Sequence, residues 1–142
     1  MKISGILTNK GDFVATINST ATISELLNVL AEYNIGAVPV VDDDGIIGMA
    51  SERDVVRAIN DRGPSVLDHP VSELMSVRIS VCAPSATVDE LMSVMTQRRV
   101  RHVPVVDEDD TLLGIVSIGD VVKARLEELE EERAQLMNYI SN

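Results

Sequence analysis

Two stretches of this chain carry the same potentially chemical residues at the same spacing. Gly48, Ser51 and Asp54 stand in "GMASERD"; Gly114, Ser117 and Asp120 stand in "GIVSIGD". Each triplet closes an apolar run and opens a helical pattern. At such a junction the free N–H groups of a helix can hold an anion. A carboxylate there can accept both hydroxyls of a ribose, and a glycine lets a ligand approach the backbone. The same residues also have a structural use. A serine followed three positions later by an aspartate resembles a capping box, in which each side chain accepts the other residue's backbone N–H. One serine can serve both purposes, so the spacing leaves both open.

The elements that would position these residues are themselves duplicated. At an offset of 65, Ala21-Thr22 falls on Ala86-Thr87, Glu25-Leu26 on Glu90-Leu91, and "VPVVD" at Val38–Asp42 on Val103–Asp107. One extra residue in the second acidic turn then carries Ser51 onto Ser117 and Asp54 onto Asp120. Internal repetition of this density marks a repeated structural unit. Each copy predicts a strand (near Val14–Ile17 and Ile79–Cys82) and a helix capped by Thr22 with Glu25 or Thr87 with Glu90. Asn34 suits a left-handed stop of the first helix. Two strands joined by an acidic turn follow, Ala37–Val41 with Ile46–Ala50 and Val103–Val106 with Leu112–Val116. A second helix opens at Ser51 or Ser117.

The expected fold class is α+β: two β-α-β-β-α units related by a pseudo-twofold axis, packed as one module, plus a C-terminal helix extension. The expected boundaries are 1–62 for the first unit with its N-terminal segment, 63–78 for a linker with a short helix at Val71–Ser76, 79–125 for the second unit, and 126–142 for the extension. Val122, Leu126, Leu129, Leu136 and Ile140 recur at helical spacing there, interrupted by Arg133.

Composition narrows the function. The chain has 142 residues and 45% apolar content, but its aromatics are only Phe13, Tyr33 and Tyr139, so its core must be aliphatic. A formal net charge of −11 repels phosphate backbones, which argues against a nucleic-acid partner. The single cysteine, Cys82, excludes an intrachain disulfide and reads more readily as a small buried hydrophobe than as a reactive thiol. No apolar run approaches the roughly 18 residues of a membrane span, and the first residues lack the apolar core of a signal peptide. A cytoplasmic location without a membrane partner is the expectation. The acidic turn around Asp42, Asp44 and Gly45 fails the calcium-loop template at both ends, with Val40 and Ser51 at its first and last ligand positions. With only His69 and His102, no catalytic triad or metal site is evident. The expectation is no enzyme, no catalytic residues, no metal and no required cofactor.

The repeated unit, its "VPVVD" strand, its acidic turn and its terminal GxxSxxD resemble the cystathionine-β-synthase (CBS) domain, and the tandem pair resembles a Bateman module, over about Val14 to Ala124. "SERDVVRAI", "RRVRHVPVVD" and "GIVSIGDVV" are especially similar to small stand-alone members. The resemblance implies two clefts that bind adenosine-containing ligands such as AMP, ATP, NAD or S-adenosylmethionine, each drawing ribose-binding Ser and Asp from one copy and its remaining wall from the other. Carried onto this sequence, one site would join Ser51 and Asp54 to Ser80, Val100, Arg101 and His102. The other would join Ser117 and Asp120 to Ala15, Ile35 and Gly36. Arg101-His102 replaces Gly36-Ala37, so only the first site would have cations for a phosphate. Arg101 could equally be a solvated surface residue, and His102 a structural histidine at a strand start. The resemblance also implies a homodimer, a flat disc of four units, and an action on a separate regulated protein that the sequence does not name. The alternative is a ligand-independent dimerisation or interaction module.

Overall fold

The computed structural model describes residues 1–11 and 13–141. Asp12 and Asn142, the latter closing the expected extension, lie outside the described residues. The chain forms an α+β fold of two compact units. One comprises residues 13–80 with 108–112. The other comprises the described parts of 1–12, 81–107 and 113–142. We refer to them as the first-repeat and second-repeat units.

In the first-repeat unit, helix α2 (Ile23–Glu32) opens at Thr22. The Thr22 Oγ1 accepts the Glu25 N–H at 3.1 Å, and the Glu25 carboxylate accepts the Thr22 N–H at 3.2 Å. The chain leaves the helix through Asn34 at φ 52°, and Ile35 N–H donates to Leu30 O at 3.0 Å. Strand β1 (Ile17–Asn18) runs parallel to β2 (Ala37–Asp42), with Ile17 opposite Val40. Strand β3 (Gly45–Ser51) returns antiparallel to β2, with a bulge between Val40 and Val41, and feeds helix α3 (Glu52–Arg62).

The second-repeat unit follows the same plan. Thr87 and Glu90 cap helix α4 (Val88–Arg98), and Arg99 takes the left-handed conformation at φ 55°, the position equivalent to Asn34. An arginine there carries a steric penalty of about 1 kcal/mol that an asparagine relieves through its short polar side chain. Strand β4 (His102–Val106) pairs with β5 (Leu112–Ser117), which feeds the long helix α5 (Ile118–Ser141). The first strand of each repeat is shorter than its sequence suggests. Residues 14–16 are not strand, and of Ile79–Cys82 only Cys82 bridges Val105, in parallel. Pro39 and Pro104 offer no N–H to a ladder, which limits pairing beside them.

The N-terminal segment departs most from expectation. Residues 3–10 form a helix, α1 (Ile3–Lys10), and it packs in the second-repeat unit rather than with residues 13–62. Ile3 and Ile6 are buried in that unit's core beside Leu91, Val103 and Val116. The backbone locks the segment in: Val88 N–H donates to Met1 O at 3.0 Å, Ile3 N–H to Ala86 O at 2.9 Å, and Ser4 N–H to Pro84 O at 2.9 Å. The linker before the second repeat does the same to the first. Ile23 N–H donates to His69 O at 2.9 Å, Val71 N–H to Ala21 O at 2.8 Å, and Ser72 N–H to Ser19 O at 3.1 Å. The two lead-in segments are thus equivalent at an offset of 68, as Ile3 to Val71 shows, and each is built into the other repeat's unit. The expected helix at Val71–Ser76 is a 3-10 turn over Val71–Glu73, preceded by another at Pro64–Asp68. Val66 and Val71 are buried beside Leu26 and Val38. Among the described residues every buried side chain is apolar, and none is aromatic.

Candidate functional site

The first motif lies where β3 runs into α3. Ser51 is the N-cap. Its Oγ accepts the Asp54 N–H at 3.2 Å, and its N–H and Oγ–H both donate to Asp54 Oδ2, at 3.0 and 2.9 Å. All the donors fall on Oδ2, so Oδ1 has no hydrogen-bond partner among the described residues. Glu52 N–H, the first of the helix, donates to Gly36 O at 3.0 Å, which puts Gly36 beside the motif of its own copy. Ile35 and Ala15 are partly buried against the same core, and Ser80 belongs to the same unit.

The second motif repeats the cap and changes the electrostatics. Ser117 N–H donates to Asp120 Oδ2 at 2.9 Å, and Asp120 N–H donates to Ser117 Oγ at 3.2 Å. In place of the serine hydroxyl, the second donor to Oδ2 is Lys10 Nζ at 2.7 Å, which also donates to Ile115 O at 2.8 Å. Burial works to raise the Asp120 carboxyl. The hydrogen bond and charge of Lys10, with the Ser117 bonds, outweigh it and hold Asp120 below its ordinary range. Ile118 N–H donates to Arg101 O at 2.8 Å, matching the Glu52–Gly36 bond. His102 stands in the same electrostatic neighbourhood. Burial first, then the Lys10 and Arg101 charges, lower its pKa, while Asp120 opposes them.

The capping use of both motifs is therefore realised. The glycine reading is corrected. A Cβ on Gly48 would lie 2.8 Å from Ser76 O and 3.0 Å from Met75 Sδ, and one on Gly114 would lie 2.6 Å from Leu7 Cδ2. Both glycines make room for the lead-in segments, not for a ligand. Met75 and Leu7 are equivalent at the lead-in offset, so the cover is as symmetric as the motif.

Of the remaining candidates, Val100, Arg101, His102, Ser117 and Asp120 belong to the second-repeat unit, whereas Ala15, Ile35, Gly36, Ser51, Asp54 and Ser80 belong to the first. Within each unit the strand entry is brought against its own motif. The expectation that the site of Ser117 and Asp120 lacks a cation missed Lys10. Nothing in its local pattern points to it, because it lies 110 residues from Asp120. The lead-in offset carries Lys10 onto Arg78, which is exposed and forms no hydrogen bond or ion pair with Asp54. Cys82 is half-buried and its thiol is pushed up to about 11 by burial, in keeping with a packing role. His69 joins Glu73 (2.7 Å) and Arg62 (3.1 Å) in an exposed cluster that fastens the linker to α3. In the acidic turn, Asp42 Oδ1 accepts the Asp44 N–H at 2.8 Å, and Gly45 takes φ 113°. Among the described residues no cluster of His, Cys, Asp or Glu could hold a metal, and no helix is long and apolar enough to cross a membrane.

Comparison with known proteins gives one consistent picture. A family model described as the CBS domain matches residues 11–61 and again 71–127. The chain is 33% identical over 108 residues to the CBS domain-containing protein YhcV of Bacillus subtilis, covering 76% of each. It resembles the crystal structure of a CBS-domain-containing protein from Agrobacterium tumefaciens (ATU1752) with a TM-score of 0.83 and 41% identity, over 88% of this chain and 99% of that one. A CBS domain protein from Pyrobaculum aerophilum, solved in complex with AMP, superposes with a TM-score of 0.75 at 28% identity, over 84% of this chain and 89% of the other.

Proposed function

This chain belongs to the CBS domain family, and from that premise we propose that it is a non-catalytic regulatory module that binds an adenosine-containing ligand and acts on a separate protein. The observation that carries the proposal is the duplicated Ser–Asp cap. In the first copy the Ser51 N–H and hydroxyl, and in the second the Ser117 N–H and Lys10, hold Oδ2 of the aspartate, leaving Oδ1 of Asp54 and Asp120 free of other hydrogen bonds among the described residues. A carboxylate so fixed at a helix start is suited to the hydroxyls of a ribose. The AMP complex of a relative at 28% identity supports an adenylate as the ligand class. Arg101, whose carbonyl accepts the Ile118 N–H at the start of the second motif's helix, supplies positive charge for a phosphate.

Isothermal titration with adenosine, AMP, ADP, ATP, NAD and GMP tests this reading. Adenosine-containing ligands should bind and GMP should bind less well; equal or tighter GMP binding refutes the adenine assignment. Asp54→Ala should weaken binding roughly ten- to a hundredfold, the worth of a charge-assisted hydrogen bond. Arg101→Ala should weaken AMP but not adenosine, and double-mutant cycles of Arg101 with Asp54 and with Asp120 show which aspartate shares its ligand.

The second reading, an interaction module, is favoured by a specific observation. Helix α5 exposes Val122, Leu126, Leu129, Leu136 and Ile140, and α3 exposes Val56. From Val122 the apolar positions and Arg133 alternate at spacings of four and three, the pattern of a coiled-coil seam. We propose that these faces serve a homodimer; light scattering that gives a monomer at micromolar concentration refutes it.

A further inference from the structure

The two aspartates that the proposed function makes equivalent do not have equivalent surroundings. Both accept two hydrogen bonds on Oδ2. On Asp54 both come from Ser51; on Asp120 one comes from Ser117 and the other from Lys10, across 110 residues of chain. Lys10 is not a wandering surface cation. Its helix is anchored by the buried Ile3 and Ile6, Leu7 rests on Gly114, and the ammonium is held a second time by Ile115 O. Arg78, its counterpart at the lead-in offset, follows a segment in which Ser76 pairs with Met49, and it leaves Asp54 alone. The difference arises because α1 continues as a helix to Lys10, whereas the other lead-in has left its 3-10 turn by Leu74.

From this geometry we propose that Lys10 is a specificity-determining latch: it holds Oδ2 of Asp120 as an internal counter-ion, so that the second motif offers a ribose a carboxylate whose charge is already partly neutralised, while Asp54 has no such partner. The inference rests on the adenosine-binding reading and deepens it by making the two motifs a stronger and a weaker site. A ligand that approaches Oδ1 of Asp120 meets a carboxylate already paired through Oδ2 with an ammonium at 2.7 Å, the two side chains being 37% and 24% exposed. Such a half-exposed pair is worth a modest amount, so the latch biases the equilibrium without blocking it.

The test uses the full chain carrying Asp54→Ala, which silences the first motif, and adenosine, which has no phosphate to involve Lys10 in any other way. Adding Lys10→Met should tighten adenosine roughly two- to tenfold. Lys10→Arg should not, and a further Asp120→Ala should abolish the gain. Lys10→Ala gives the same readout if the methionine variant fails to fold. A merely structural Lys10 would lower the melting temperature without tightening adenosine, and that outcome overturns the latch. So does weakened AMP with unchanged adenosine, which would make Lys10 a phosphate partner. If neither adenosine nor AMP binds the wild type or any variant, the adenosine reading falls and the latch with it; if the wild type binds but Lys10→Met produces no gain, only the latch falls.

Discussion

Alanine at the two motif glycines should have unequal effects, although the repeats align them. Neither Gly48 nor Gly114 has a positive φ, so an added methyl is judged by space alone. At Gly48 it would sit 2.8 Å from Ser76 O, well inside the 3.4 Å at which ordinary contact begins. That carbonyl cannot withdraw easily, because it accepts the Met49 N–H at 3.0 Å while Ser76 N–H donates to Met49 O at 2.8 Å. At Gly114 the only close atom, at 2.6 Å, is the terminal Cδ2 of Leu7; the next contacts are at 3.7 Å, and one side-chain rotation clears the clash. Overpacking against fixed structure costs about 1–3 kcal/mol, whereas replacing glycine by alanine returns about 0.4–1 kcal/mol through the unfolded chain. Gly48→Ala should therefore destabilise by roughly 1–2 kcal/mol, and Gly114→Ala should stay within about 1 kcal/mol of wild type. Urea unfolding followed by circular dichroism at constant slope reads both. The remaining cost of Gly114→Ala should vanish in a Leu7→Ala background, and that of Gly48→Ala should survive Met75→Ala because the Ser76 carbonyl remains. If Gly114→Ala is as damaging as Gly48→Ala and Leu7→Ala gives no relief, the assignment of these glycines to lead-in packing is wrong.

Further outcomes follow from the caps and the titrating groups. Thr22→Ala and Thr87→Ala should each cost about 1 kcal/mol by removing half of a capping box, read by thermal melting against Thr16→Ala, at an exposed position, as a control. The His102 imidazole is held below its ordinary 6.5 by burial and by Lys10 and Arg101, so the unfolded chain gains a proton first as pH falls. Stability should decline as pH drops below about 6.5, and His102→Gln should flatten that decline; an unchanged pH profile contradicts it. With its thiol pushed up to about 11, Cys82 should resist iodoacetamide at pH 8 in the native protein and react promptly in denaturing urea.

What was legible in the sequence was whatever a local pattern encodes. Thr22 with Glu25, Thr87 with Glu90, and the apolar strands around Pro39 and Pro104 announce themselves within a few residues, and the structure has them there. The Ser–Asp pairs were legible as caps for the same reason. The short first strands were not, because a ladder depends on what its partner offers, and at Pro39 and Pro104 the partner lacks a donor. Helix α1 was hidden in "ISGILTNK", where Gly5, Thr8 and Asn9 weaken any helical signal and its reward lies in a core formed some 80 residues later. Lys10 was hidden twice over, since its helix and its partner were both out of view. The repeat alignment stops at Val14 because the lead-ins share apolar positions, Ile3 with Val71 and Leu7 with Met75, but few identities. The role of Gly48 and Gly114 was misread because spacing reports that a side chain is absent and not what fills its place.

The exchange of lead-in segments also bears on the order in which the molecule can be made. Residues 13–80 supply nearly all of the first-repeat unit and emerge from a ribosome consecutively, so that unit can close early. Helix α1 is synthesised before all of it, yet Ile3 and Ile6 have no core to enter until residues 84–121 have followed. Helix α1, although made earlier, is thus among the last elements to be seated, and it must search across a long span of chain to do so. During that interval its apolar residues and the unmade core of the second repeat are exposed together. The Lys10–Asp120 ion pair can form only once that docking is complete.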